Sequence, residues 1–140
     1  MGFVDTTTPF GERVERRLRA DIIGWLTTVR ADGTPVPIPV WFFWDGEELL
    51  LYSRPGQAKL AHLAARPRVS LHLDSDRKNG DIVTVLGDAR LSPSDPPADR
   101  LPAYVAKYAS SMALIGMTPE AFAAEYSVPF RIRVDALRGH

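Results

Sequence analysis

The sequence predicts a small antiparallel β-barrel with a few short helices on its outside. Three observations carry that expectation. Six short stretches rich in Val, Ile, Leu, Trp and Thr recur along the chain, and turn signals such as Asp32-Gly33 and Asp45-Gly46 separate them. Alternating prolines at Pro35, Pro37 and Pro39 mark a strand that can pair on one side only. The chain has 140 residues, the length of one domain, and can bury about two-thirds of its unfolded surface.

Residues 1–8 are small and polar and read as a loose segment at the start of a single domain spanning 1–140. Thr8 is placed to cap a helix and Pro9 to open it. Val14 and Leu18 lie one turn apart on this helix, about 9–20, and Arg16, Arg17 and Arg19 read as its solvated face. Strands follow at 22–30, 34–44 and 47–53, and the two Asp-Gly turns predict that they form a three-strand meander. In the second of them the backbone nitrogens of Pro35, Pro37 and Pro39 point to one edge and carry no hydrogen, while Val36, Ile38 and Val40 pair on the other. The segment is therefore an edge, or the lip of an incompletely closed barrel. A blocked edge also guards against aggregation, and the residues alone leave guard and ligand-facing lip equally open.

A helix over 57–65 has its apolar stripe at Leu60, Leu63 and Ala64, and Pro67 stops it. A strand at 68–74 alternates Val69, Leu71 and Leu73, and a turn covers 76–81. The strand at 82–92 contains Gly87, a bulge or barrel corner. Prolines between 93 and 97 break it. Two short helices are expected over 98–110 and 118–126, the second opened by Thr118-Pro119-Glu120. The closing strand, 128–138, alternates Phe130, Ile132 and Val134 with Arg131 and Arg133.

Composition removes several function classes. The chain has no cysteine, which excludes disulfides, iron–sulfur clusters, thiolate zinc and cysteine nucleophiles. Seventeen basic residues balance seventeen acidic ones, so a general nucleic-acid binder is not expected. The basic residues are 14 Arg and 3 Lys, read chiefly as the mark of a GC-rich genome. No leader and no bilayer-length apolar run is seen, so the expectation is a soluble cytoplasmic protein without a membrane partner. His62, His72 and His140 lack metal-ligand spacing, and no metal site is expected. No nucleophile elbow or phosphate-cradling P-loop occurs. Asp45, Asp81 and Asp88 fit turns and strand ends. Trp25, Trp41, Phe42, Phe43 and Trp44 read mainly as core and interface, and Trp41 or Trp44 is placed to reach a bound ring; Tyr104, Tyr108 and Tyr126 are candidates for substrate contact that read mainly as packing.

One segment stands apart. Tyr52-Ser53-Arg54-Pro55-Gly56-Gln57-Ala58-Lys59 runs from a strand end into a helix start. Backbone N–H groups there favour anions. Ser53 adds a hydroxyl, Arg54 a planar fork and Lys59 a point charge, and Gly56 lets the backbone approach. These groups can converge on one phosphate. A helix cap flanked by solvated charges is the other reading of the same residues.

The order of elements adds to this. A polar helix, two Asp-Gly hairpins, a strand ending Y-S-R, then K-L-A-H-L-A-A-R-P-R-V-S-L resembles the pyridoxamine 5′-phosphate oxidase-like split-barrel superfamily, from about Glu12 to Arg138. P-V-P-I-P-V-W-F-F-W, S-R-P-G-Q-A-K-L and the late Y-V-A-K-Y look closest to its small actinobacterial branch that uses the deazaflavin coenzyme F420. The resemblance implies a mainly β fold: a six-stranded antiparallel split β-barrel, Greek-key-like, with short flanking helices. It implies a homodimer with cofactor sites at the interface. Ser53, Arg54 and Lys59 would hold the cofactor phosphate with Gln57 beside it. Pro39, Val40 and Trp41 would run under the ring, and Tyr52 would flank it. The implied activity is an F420-dependent oxidoreductase passing a hydride between coenzyme and a small conjugated organic substrate. FMN is the alternative cofactor, and a non-catalytic flavin, deazaflavin or haem binder the alternative role. No catalytic residue is assigned. Two departures weigh against vitamin B6 oxidation. The family's flavin-using oxidases place a basic residue on the second strand, where Pro37 or Pro39 stands here. They also carry a denser S-R-K run, whereas Lys59 lies five residues beyond Arg54.

Overall fold

The structure is a computed structural model describing residues 3–140. Met1 and Gly2 of the expected loose segment lie outside the described residues. The elements in chain order are α1 (Pro9–Ala20), β1 (Gly24–Val29), β2 (Pro35–Val40), β3 (Phe43–Trp44), β4 (Glu48–Ser53), α2 (Ala58–Ala65), β5 (Arg68–His72), β6 (Val83–Leu91), α3 (Pro102–Leu114), α4 (Pro119–Glu125) and β7 (Val128–Gly139). The fold is mainly β, a curled antiparallel sheet with four helices around it.

The Thr8 side chain accepts from Gly11 N at 3.0 Å and starts α1. Val14 and Leu18 are fully buried. Arg17 differs from its expected place on the solvated face. It lies on the same helix face as these two residues, and its guanidinium reaches the carbonyls of Asp81 at 2.8 Å and Asp74 at 2.7 Å. Arginine is suited to that task, because its fork satisfies two carbonyls beside an apolar surface.

The sheet has seven strands in the order β2-β1-β5-β6-β7-β4-β3, not the six expected. The extra strand comes from the stretch 34–44, which divides. β2 pairs with β1, in register Gly24↔Val40 to Val29↔Pro35. β3 pairs with β4. The two do not pair with each other, so the expected meander is interrupted after the first hairpin. Both Asp-Gly turns are present, with Gly33 and Gly46 at φ +86° and +100°.

This division closes the curl. β2 and β3 are opposite edges of the sheet, yet only Trp41 and Phe42 separate them in sequence. Flat, seven strands would hold their edges about 29 Å apart. The link from Val40 to Phe43 spans at most about 11 Å. The sheet must therefore roll until its edges meet. β2 is an edge strand, as its prolines require, and their nitrogens face away from β1.

The unpaired link is held by α3. The Tyr108 hydroxyl accepts from Phe42 N at 2.8 Å and lies 2.8 Å from Ile22 O and 2.9 Å from Phe42 O. Lys107 Nζ donates to Phe42 O at 2.8 Å and Leu18 O at 3.3 Å. Burial pushes the Lys107 ammonium down to about 8, with Asp21 pulling partly back. The helix expected over 98–110 is a 3₁₀ turn, Ala98–Arg100, followed by α3. Pro102 opens α3 at its first turn, where its missing N–H costs nothing.

Two cores result. One fills the barrel with Leu26, Phe42, Leu51, Leu71, Val85 and Phe130 among its members. The other lies under α3 and α4, around Tyr104, Tyr108, Met112 and Phe122. Between β6 and β7 the register shifts at Leu86/Gly87, with Asp135 as the extra residue opposite. A Cβ at Gly87 would lie 2.1 Å from Arg133 O. The bulge expected at Gly87 is thus present, and glycine serves the close approach of two backbones.

Two substitutions test this framework. Tyr108→Phe leaves the buried Phe42 N–H unsatisfied, and a loss of about 1–3 kcal/mol is expected. Gly87→Ala forces β6 and β7 apart, and about 1–3 kcal/mol is expected there too. Urea unfolding at constant slope reads both. An unchanged midpoint for Tyr108→Phe would remove the role given to the α3 clamp.

Candidate functional site

The turn after β4 builds the start of the site. Pro55 and Gly56 occupy the two central positions of a turn from Arg54 to Gln57, and Gly56 has φ +75°, as a type II turn demands. Nothing lies within 4 Å of a Cβ placed on Gly56. Its positive φ asks for glycine, and the space beside it is open. Gln57 is the N-cap of α2, yet its side chain makes no capping bond. The first N–H groups of α2 are therefore left without a side-chain acceptor.

A cavity of about 260 Å³ opens between this turn and the sheet edge. Pro39, Val40 and Trp41 form one wall, and Tyr52 and Lys59 line it as well. Five of the eight residues expected to bind cofactor thus meet at one cavity. Gln57 lines an adjoining hollow of about 120 Å³, which Lys59 shares. Ser53 and Arg54 line neither. The Ser53 side chain is fully buried, and its hydroxyl donates to Arg54 O at 2.8 Å. Arg54 is paired with Glu125 at 3.2 Å and sits 5.1 Å above the Tyr126 ring. It touches the cavity only through Tyr126.

The rest of the lining comes from Ile23, Ile115, Phe122 and Tyr126, residues far off in sequence. Sequence reading took Tyr126 chiefly as packing, with substrate contact as its other reading, and gave the others no role. The pairing of Arg54 with Glu125, which joins the turn to α4, is invisible in sequence spacing. Trp41 stacks on Tyr108 and Phe122 at centroid distances of 4.8 and 5.1 Å, and Phe122 on Tyr126 at 4.5 Å. This column holds the aromatic wall in one orientation. Trp44 is buried and donates from Nε1 to Glu15 Oε2 at 2.6 Å, so it does not reach the cavity.

The polar groups divide sharply. The Tyr52 hydroxyl is spent on Pro96 O at 2.7 Å. Tyr108 is spent on the Phe42 backbone. Lys59 is half-buried, and among the described residues its ammonium has no hydrogen bond and no acidic partner. Burial lowers its pKa, and the positive charge of Arg54 lowers it further. The arrangement fits a planar apolar ligand against Pro39, Val40 and Trp41, with an anionic group at Lys59. Among the described residues, no group of three or more His, Asp or Glu could hold a metal ion. No helix among them is long and apolar enough to cross a membrane.

Comparison with known proteins gives consistent results. The family model for pyridoxamine 5′-phosphate oxidase matches residues 10–138. A solved structure of an F420 reductase is 27% identical, with TM-score 0.71, covering 89% of this chain and 94% of its own. General stress protein 26 of Bacillus anthracis is 21% identical, with TM-score 0.69 and coverage of 90% and 89%. An FAD-binding protein of Mesorhizobium loti is 23% identical, with TM-score 0.64 and coverage of 90% of each chain. The last two show likeness of fold. A search of curated proteins finds no match.

The tyrosines and Lys107 set opposite slopes of stability with alkaline pH. Burial, with Asp95 adding to it, pushes Tyr52 up to about 12, and burial raises Tyr104 and Tyr108 too. Unfolded phenols ionise near pH 10. What these three contribute is complete below about pH 10 and is lost as pH climbs through 12. Lys107 has the reverse sign. Its folded value of about 8 lies below the ordinary 10.5, so the cost of burying its charge lifts between those limits. The urea midpoint is expected to rise from pH 8 to 10 and fall from 10 to 12. Lys107→Met flattens the first limb and keeps the second. A wild-type midpoint already falling from pH 8 would contradict this.

Proposed function

The chain belongs to the pyridoxamine 5′-phosphate oxidase family, and from that premise we propose that it is an oxidoreductase that binds coenzyme F420. The observation that carries the reading is Lys59: a half-buried ammonium without an acidic partner, at the mouth of a cavity walled by Pro39, Val40 and Trp41. Such a charge is costly unless an anion completes it. The 27% identity to an F420 reductase over nearly the whole chain supports deazaflavin over FMN.

The coenzyme supplies hydride transfer when bound. The chain supplies position and shelter. Lys59 anchors the phosphate. The prolines of β2 present no N–H at the sheet edge that would need a partner. Ile23, Ile115 and Phe122 exclude water from the substrate side. The Tyr52 hydroxyl is bound to Pro96 O and pushed up to about 12, so it does not serve as an acid near neutral pH. The substrate is a small conjugated organic molecule able to lie against the ring.

A homodimer belongs to the same proposal. The cavity, about 260 Å³, is below the roughly 300–1,000 Å³ that enclose a cofactor-sized ligand. At its rim Ile23 and Ile115 are 36% and 54% exposed, with Ile22 and Leu114 exposed beside them. A second copy would cover these side chains and complete the walls.

Titration with coenzyme F420, FMN and haem, followed by tryptophan quenching, tests the cofactor. Tight FMN binding with F420 at background would overturn the reading. Lys59→Ala is expected to weaken F420 by about 1.5–3 kcal/mol, the scale of a charge-assisted bond. Arg54→Ala should cost less, because Glu125 already neutralises it. Turnover of reduced coenzyme with an enone or quinone acceptor separates an enzyme from a carrier.

A further inference from the structure

Two phenols line the main cavity, Tyr52 and Tyr126. The Tyr52 hydroxyl is spent on Pro96 O. Tyr126 is half-buried, and its hydroxyl has no hydrogen-bond partner among the described residues. Local structure explains how this side chain is placed. Tyr126 closes α4, and its backbone N–H donates to Phe122 O at 2.8 Å. β7 starts two residues later, where Val128 pairs with Ser53. That register brings Arg54 to the end of α4, where it takes Glu125 and lies over the Tyr126 ring. Phe122, one helical turn back, stacks on the same ring with the planes 14° apart.

Tyr126 is also one end of the aromatic column, which runs Tyr108, Trp41, Phe122, Tyr126. Both ends are phenols, and they differ in use. At one end the Tyr108 hydroxyl is engaged by Phe42 N, Phe42 O and Ile22 O. At the other end the ring is packed and the hydroxyl is free at the cavity wall. A fixed ring aims its hydroxyl without further ordering cost. Little else there can donate to a substrate. Ile23, Ile115 and Phe122 bring hydrocarbon, Pro39 has no N–H, and Lys59 is committed to the anion. The chemistry calls for a donor of this kind. A hydride that reaches a conjugated acceptor drives an electron pair onto the acceptor's far atom. Where that atom is a carbonyl oxygen, a preplaced O–H stabilises the charge as it forms.

We propose that Tyr126 is a catalytic residue whose hydroxyl donates to the oxygen of a conjugated carbonyl acceptor, so that the site favours enones and quinones over acceptors lacking that oxygen. This rests on the cofactor reading above and names the substrate class. For an enone, the transferred hydride forms a C–H bond at the β-carbon. The C=C electron pair shifts toward the carbonyl, and its oxygen takes the charge and the hydrogen bond from Tyr126. A proton from water completes the saturated ketone. Oxidation of the reduced deazaflavin by two electrons balances reduction of the enone by two. Arg54 acts as a positioning residue, through the Tyr126 ring.

Tyr126→Phe in the full chain tests this, because it keeps the ring against Phe122 and Arg54 and removes only the hydroxyl. Its affinity for coenzyme F420, followed by tryptophan quenching, is expected to match wild type and reports an intact cavity wall. Two acceptors are then compared: cyclohexenone, and phenazine methosulfate, which takes a hydride and has no carbonyl. The ratio of their kcat/KM values, cyclohexenone over phenazine, is expected to fall about tenfold or more in the variant. A second readout needs no turnover. With oxidised coenzyme present, the C=O stretch of bound cyclohexenone is expected at lower frequency in wild type than in the variant, the mark of a hydrogen-bonded carbonyl. An unchanged ratio, or an unchanged stretch, would overturn the role of Tyr126 and leave the cofactor reading standing. Equal loss with both acceptors would overturn it too. If wild type does not bind coenzyme F420, the cofactor reading falls, and this role with it.

Discussion

The structure depends on how the Phe42 backbone is satisfied. Trp41 and Phe42 carry the chain from one edge of the sheet to the other, so neither has a strand neighbour. A buried peptide without partners costs several kcal/mol. α3 supplies the partners, with the Tyr108 hydroxyl on Phe42 N and Lys107 Nζ on Phe42 O. The same two side chains reach Ile22 O and Leu18 O at the end of α1 and beyond it. One turn of α3 thus ties together the edge crossing, the N-terminal helix and the entry to β1. Without it the roll of the sheet would have an unsatisfied seam.

The seam and the candidate site are continuous. Trp41 precedes the clamped peptide directly and stacks on Tyr108, the clamping residue. Fixing Phe42 therefore fixes the aromatic wall of the cavity. α4 is held by the same column, through Phe122 against Trp41 and Tyr126 against Phe122. The turn holding Lys59 joins the column by the Arg54–Glu125 pair. A site assembled from β2, β4, α2 and α4 gains its precision from one packed stack and one ion pair, not from loop stiffness.

What was legible in the sequence followed from local physics. The prolines of β2 cannot donate on one side, and the strand is an edge. Thr8 and Thr118 cap the helices that follow them. Gly87 sits where two backbones meet. The cavity wall at Pro39, Val40 and Trp41, and Lys59 across from it, were found by likeness of motif to a known family. What escaped notice was decided across long sequence distances. Nothing in F-F-W tells that a strand changes partners at Phe42, because the closure is a property of the whole rolled sheet. Arg17 looks like its neighbours until two distant carbonyls are seen beside it. The bond from the Ser53 hydroxyl to Arg54 O is likewise not visible in the spacing.

The two half-buried lysines show what distinguishes a structural charge from one kept for a ligand. Burial lowers the pKa of both. Lys107 is compensated inside the protein, by two carbonyls and by the faces of Phe42 and Tyr108, 4.0 and 5.2 Å away. Lys59 has no such compensation, and the positive charge of Arg54 acts against it. Several guanidiniums of the sheet are also compensated inside the protein: Arg131 spans Asp95 and Asp45, Arg90 takes Glu48, and Arg68 takes Asp135. A half-buried ammonium without an acidic partner, at the meeting of two cavities, is most simply explained by an anion arriving from outside.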